Sequence, residues 1–466
     1  MTFIITLGFV GNVRPSQPSS SSSSSAVSSE QQEINDAADI LYGRSGGAWA
    51  GGGKGLPVNL RKKIADCLGG TQRIKISQGL NKPQSVALST DKSMIVTTSG
   101  SLILIWLSDE HGLWHAAATL QGHQGVVTSV ALSADTTMIV SGARDNTIRI
   151  WRADEQGNWA DQQQAAATLQ GHANSVTSVA LSADKTMIVS GAWDNTIRIW
   201  RADEQGNWAN QQQAAATLQG HAGGVSSVAL SADKTMIVSG AWDNTIRIWR
   251  ADEQGNWADQ QQAAATLRGH AGWITSVALS ADKTMIVSGS GDNTIRIWRA
   301  DEQGNWADQQ QAAATLQGHQ GEVSSVALSA DKTMIVSGST DGTIKIWHAD
   351  EQGNWADQHQ AAATLQGHQG GVSSVALSAD KTMIVSGAWD KTIRIWRADG
   401  QGNWANQQQA AATLQGHQGE VSSVALSADK TMIVSGSGDI SVQVWLVSNR
   451  YLMQNVERML KKRIEE

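Results

Sequence analysis

The sequence predicts an all-β chain, an eight-bladed propeller of four-stranded sheets, with seven blades as the alternative. Glycine-histidine pairs place His123, His172, His221, His270, His319, His368 and His417 at a constant interval of 49 residues. A period of about 20–50 residues marks stacked supersecondary units rather than one irregular domain. Within each unit, short apolar or alternating runs are bounded by Asp, Gly and Asn, the pattern of strands and turns. Strand-ending tryptophans recur at Trp106, Trp151, Trp200, Trp249, Trp298, Trp347, Trp396 and Trp445, which sets the blade count.

One unit shows the elements in order: residues 127–133, 137–141, 147–152 and 165–169 read as successive strands. In the third, Ile148 and Ile150 face one way while Thr147, Arg149 and Trp151 face the other, the period of two imposed by a pleated strand. A four-stranded meander cannot bury both faces alone, so copies stack, and blades of this size close radially. The first unit is eroded. Residues 85–89, 93–97 and 102–106 survive, without the Gly-His pair or the turn Asp. Residues 73–77 stand ahead of it where an outer strand belongs, and the last unit reaches Val447 without one. The two ends are expected to pair and close the ring, removing an edge open to aggregation. Should the eroded unit stay outside, seven blades remain.

A Gly-His pair, an Asp six residues before a Trp and an Ile-x-Ile-Trp strand together resemble the WD-repeat β-propeller family, over residues 74–447. The Trp is followed by Arg, His or Leu where the family has Asp. The resemblance implies a hydrogen-bonded tetrad in each blade, which falls on His172, Ser190, Asp194 and Trp200 in one of them. The residue chemistry agrees, since a buried carboxylate needs donors, and the imidazole, hydroxyl and indole are expected to supply them. One histidine per blade argues against a metal site, and no cofactor is expected. The remaining histidines do not assemble a catalytic group. His348 follows Trp347, and His111, His115 and His359 fall in connections expected at the bottom of the blades, so the chain reads as a non-enzyme.

Composition narrows the partners. The formal charge is −7 with basic and acidic residues interspersed, so no basic stripe points to nucleic acid. No run approaches the roughly 20 apolar residues that span a bilayer. The single cysteine, Cys67, excludes an intramolecular disulfide. Residues 1–55 are expected as a disordered arm, with unbroken serine at 19–25 and a glycine-rich linker from 43. Residues 51–55 lack the first glycine and the Ser or Thr of a phosphate-binding loop. Residues 56–70 are expected as a short helix whose Leu56, Pro57, Leu60 and Ile64 resemble the opening of an F-box, which implies a ubiquitin-ligase adaptor as partner. The propeller spans 71–447, and 448–466 reads as an amphipathic helix. The expected location is the cytoplasm, with the apolar residues 1–13 leaving secretion as the alternative, and the expected state is a monomer.

The copies differ at few positions. Three residues after each histidine stand Val126, Ser175, Gly224, Trp273, Glu322, Gly371 and Glu420. One residue before each turn Asp stand Arg144, Trp193, Trp242, Gly291, Thr340, Trp389 and Gly438. Arg268 is a further exception. These positions occupy the outer-to-inner and second-to-third connections, which emerge at the same end of an antiparallel blade. The resemblance identifies that end as the family's usual partner-binding face. Trp193, Trp242, Trp273 and Trp389, with Arg144, Arg268, Glu322, Thr340 and Glu420, are therefore expected to bind a peptide or protein segment, since Trp and Arg dominate interface hot spots. Drift would also mark exposed sites in the connector after the third strand, which barely changes. The resulting reading is a non-catalytic interaction scaffold. An F-box substrate receptor and a glycan-binding propeller are the alternatives, the latter because indoles also stack on sugars.

Overall fold

The computed structural model describes residues 72–76, 83–109, 114–439 and 441–447, with side chains from 83 onward. The expected arm at 1–55, the helix at 56–70 with Leu56, Pro57, Leu60 and Ile64, the helix at 448–466, Cys67 and His111 lie outside these residues. The described elements are all strands, and none is a helix long and apolar enough to cross a membrane.

The strands form eight four-stranded antiparallel sheets. In the third blade the inner strand Val176–Leu181 pairs with Met187–Ala192, which pairs with Ile197–Arg201, which pairs with the outer strand Ala216–Leu218. The eroded unit is a full blade, with strands Val86–Leu88, Met94–Ser99, Leu102–Ser108 and Trp114–Leu120, so the ring has eight blades and the seven-bladed alternative is overturned. Closure occurs as the sequence predicts. The first described strand, Gln72–Ile76, is the outer strand of the last blade, beside Ser441–Leu446.

The core lies between blades. Val140, Ile148, Ile150 and Ala167 of the second blade pack against Val176, Val179, Ile188 and Trp200 of the third, and the pattern repeats around the ring. A glycine in the second strand of every blade but the first, where Thr98 stands, permits this approach: a Cβ at Gly191 would lie 2.6 Å from Val225 Cγ1 of the following blade. Such dry contact between alternating strands supplies most of the stabilisation, at about 25 cal/mol per Å² of apolar surface.

Two polar rows run across the blade junctions. An inner-strand hydroxyl donates to a carbonyl of the next blade, as in Thr177 Oγ1 to Val225 O at 2.6 Å, and Ser422 Oγ to Pro83 O at 2.7 Å continues the row across the closure. A lysine in each first hairpin turn pairs with the Asp of the preceding blade: Lys185 with Asp135, Lys234 with Asp184, and, across the closure, Lys92 with Asp429. Both rows change at the junction of the first and second blades. Gln84 stands where the hydroxyl residue belongs, and Thr136 stands where the lysine belongs.

Candidate partner-binding face

The tetrad fixes the loops that carry the variable residues. His172 donates from Nδ1 to Asp194 Oδ2 at 2.9 Å. Ser190 Oγ donates to His172 Nε2 at 2.8 Å and accepts from Trp200 Nε1 at 3.0 Å. This corrects the expected arrangement, because the hydroxyl and indole do not reach the carboxylate. Its other donors are Thr196 Oγ1 and the N–H groups of Thr196 and Ala173, so Asp194 ties the second-to-third turn to the loop after the histidine. Burial pushes His172 below the ordinary imidazole value more than Asp194 raises it, consistent with a neutral ring donating from Nδ1. Burial alone would raise Asp194, but the His172 hydrogen bond and the other donors hold it well below the ordinary carboxylate range. The first blade lacks the tetrad His and Asp, and there Thr97 Oγ1 and Trp106 Nε1 are buried without a hydrogen-bond partner.

With the loops tied, the two variable positions of each blade meet. Arg144 donates its N–H to Val126 O, Trp193 to Ser175 O, Trp242 to Gly224 O, Gly291 to Trp273 O, Thr340 to Glu322 O, Trp389 to Gly371 O and Gly438 to Glu420 O, all at 2.7–2.9 Å. Size alternates within several pairs because an indole lies over a glycine. A Cβ at Gly291 would lie 2.8 Å from Trp273 Cε2, and one at Gly371 would lie 3.0 Å from Trp389 Cε3. Gly224 similarly receives Trp193 of the preceding blade, whose Cδ1 a Cβ would meet at 2.9 Å.

Three of the four indoles form an arc, and the fourth stands apart. Trp193 and Trp242 have ring centroids 5.9 Å apart, and Trp242 and Trp273 6.2 Å apart, across three successive blades. Trp273 Nε1 then donates to Glu322 Oε1 of the next blade at 3.2 Å. Trp242 and Trp273 are 49% and 45% exposed, whereas Trp193 is half-buried beneath them. Trp389, 41% exposed, stands apart in the seventh blade, near Thr340, whose Cα a Cβ at Gly371 would meet at 3.1 Å. Arg144 and Glu420 sit at the paired positions of their own blades. Arg268 belongs elsewhere: its N–H donates to Gln309 O of the next connector, and its charge bears on Arg247.

The connector between third and outer strands is more than a bottom loop. In the fourth blade, Asp252 accepts from the N–H groups of Gln254 and Asn256, and the Trp257 indole is buried with Nε1 donating to Lys234 O. The segment then climbs the outer strand of the preceding blade, where Gln260 forms a parallel bridge with Leu218 and Asp259 Oδ1 accepts from Thr217 N–H at 2.7 Å. The corresponding His359 therefore lies against Gln317 Oε1, at 3.1 Å, and not in a bottom-side connection. Spacing within one unit could not show this, because the connector's partner is in the neighbouring blade. Among the described residues, no three His, Cys, Asp or Glu side chains gather to hold a metal ion.

A closed ring of eight blades, seven of them pinned by a buried His-Asp pair and presenting variable side chains at one end, defines a repeat propeller. The WD domain, G-beta repeat family matches residues 114–152, 163–201, 212–250, 261–299, 310–348, 360–397 and 408–445, and the chain belongs to this WD40 family. A similar curated protein is NACHT domain- and WD repeat-containing protein 1 of Mus musculus, 31% identical over 72 residues. That match covers 16% of this chain and 5% of the relative.

Proposed function

We propose that the chain is a non-catalytic interaction module that binds a peptide or protein segment across the Trp193–Trp242–Trp273 arc. WD40 propellers generally mediate protein–protein interaction, and the exposed indoles are the observation that carries the finer reading. Large exposed apolar groups in contact with one another mark an interaction site. Here the glycines beneath and the indoles alongside also hold them in place, which lowers the ordering cost of binding. Covering the exposed half of one indole contributes about 2–3 kcal/mol before entropic costs. Glu322 at the end of the arc favours a Lys or Arg side chain of the ligand there.

The test is a peptide-library selection on the full-length chain, with a glycan array beside it. Selected peptides should bind at least tenfold more weakly to Trp242→Ala combined with Trp273→Ala. They should also weaken with Gly291→Ala, which displaces Trp273 without removing it. Peptide binding indifferent to all three substitutions would overturn the site, and saturable binding confined to sugars would replace it with the glycan reading.

A further inference from the structure

Trp273 is held so that one side of its ring is covered and the other is bare. A Cβ at Gly291 would lie 2.8 Å from Trp273 Cε2 and 3.1 Å from both Cδ2 and Cζ2, so the glycine backbone sits under the middle of the indole rather than at its rim. The ring is nonetheless 45% exposed, which leaves the opposite face and the edge to solvent. Trp242 stands beside it, with ring centroids 6.2 Å apart and planes 36° apart, and extends the apolar surface toward the fourth blade.

A carboxylate is fixed at the rim of the same ring. Trp273 Nε1 donates to Glu322 Oε1 at 3.2 Å, which leaves Oε2 to accept from another group. Glu322 is half-buried, and among the described residues no Lys, Arg or His forms an ion pair with it, whereas every lysine of the first hairpin turns is paired with an Asp. The donors around the ring are spent: the N–H groups of Trp242 and Gly291 bond to Gly224 O and Trp273 O, and the Trp273 indole N–H to Glu322. The shelf therefore offers a π face and a carboxylate acceptor. The group it fits is planar, cationic and rich in N–H donors. Arginine is the side chain with all three properties, always charged and with five N–H donors, whereas a lysine ammonium is compact, strongly hydrated and unable to lie flat on a ring.

We infer that the Trp273–Glu322 shelf seats an arginine of a partner protein segment. The guanidinium stacks on the open face of Trp273 and donates to Glu322 Oε2, while its aliphatic stem and an adjacent apolar side chain of the partner lie along Trp242. The inference rests on the reading of the indole arc as a peptide site and names the residue that this site selects. Arg144 stands in the blade before the arc and Glu322 in the blade after it, so a segment lying along the indoles is directed with its arginine toward the sixth blade. The chain's formal charge of −7 favours the approach of such a basic segment.

The test uses the full-length chain and, as probe, the peptide acetyl-Ala-Leu-Ala-Arg-Ala amide beside its lysine and citrulline counterparts, citrulline keeping the planar shape without the charge. With isotope-labelled tryptophan, the Nε1–H resonance of Trp273, assigned through Trp273→Phe, should shift saturably with the arginine peptide. Lysine should bind at least severalfold more weakly, and citrulline should not saturate. Glu322→Gln keeps an oxygen for Trp273 Nε1 and removes the charge, so it should weaken the arginine peptide at least tenfold and remove the salt dependence of its binding. Library-selected peptides that require the arc yet lack arginine, or an arginine peptide that is indifferent to Glu322→Gln, overturn the arginine seat and leave the arc standing as a peptide site. Absence of arc-dependent binding, with these probes and in the library selection alike, overturns both.

Discussion

Thr136→Lys should strengthen the junction between the first and second blades. Thr136 occupies the first hairpin turn with φ 60°, where the other seven blades place Lys92, Lys185, Lys234, Lys283, Lys332, Lys381 and Lys430 at φ 61–64°. The left-handed conformation costs an L-residue about 1–2 kcal/mol, and a β-branched side chain fits it worst, so an unbranched lysine removes part of that penalty. A lysine there would also reach Asp91, as Lys185 reaches Asp135. Among the described residues Asp91 has no cationic partner, accepting only from Ser89 Oγ at 2.6 Å and from Ser93 N–H at 3.0 Å and Oγ at 2.7 Å. The equivalent pairs are one-third to one-half exposed, which limits the ion pair to about 0.2–1 kcal/mol. The combined gain is about 1 kcal/mol, which for a ring of this length raises the melting temperature by only about 1–2 °C. Calorimetry resolves such a shift, and hydrogen exchange should slow mainly beside this junction, because each blade touches only its neighbours. In an Asp91→Asn background, which keeps the acceptor and removes the charge, the gain should fall to the backbone part alone. A gain of equal size in both backgrounds would refute the ion-pair account, and a lower melting temperature for Thr136→Lys would refute the reasoning altogether.

Stability should also respond to acid in two stages. Buried His123, His172, His221, His270, His319 and His368 have folded pKa values below the ordinary 6.5, chiefly through desolvation. Above that pH both folded and unfolded imidazoles are neutral. Below it the unfolded chain binds protons that the folded chain excludes, so stability falls with pH until the folded values are passed. The tetrad carboxylates, lowered on folding, add a second loss as pH drops through and below their ordinary value of 3.8. Thermal unfolding followed from pH 8 to pH 3 checks the prediction, and a midpoint unchanged between pH 7 and pH 5 contradicts it. His172→Ala removes a donor from Asp194 and the acceptor of Ser190 Oγ, and should cost about 1–3 kcal/mol, seen as a lower melting temperature with faster exchange in the third blade.

The fold was legible because its signals are local and repeated. Period-two alternation, the Gly-His pair and the strand-ending tryptophans all lie within one unit, and the eroded blade kept enough of them to be counted. Closure by Gln72–Ile76 could be read because one unit lacked an outer strand and a spare strand preceded another. The backbone pairing of the variable positions left a trace too, since a large residue at one position usually faces a small one at the other, as in Trp273 with Gly291 and Trp389 with Gly371. What the sequence concealed were relations between blades, which no spacing inside a unit encodes: the indole arc, the lysine–aspartate row and the climbing connector.

The connector after the third strand is held by its own contacts. Constancy of the segment after the third strand seemed to show that drift alone would have marked exposed sites outside the variable face. Yet Asp252, Asn256, Trp257, Asp259 and Gln260 each have a partner that a substitution would disturb, so their constancy has a structural cause. Exposed, constant controls remain at Glu155, Glu204, Glu253, Glu302 and Glu351, with Gly400 at that place in the seventh blade, and at the hairpin-turn alanines such as Ala134, Ala183 and Ala232. Uneven variation is therefore weaker support for recognition than it looked from the sequence. The stronger support is physical. Trp193, Trp242 and Trp273 contact one another in tilted pairs across three blades, with Gly224 and Gly291 making room for the rings of Trp193 and Trp273, an arrangement that leaves large apolar faces toward water.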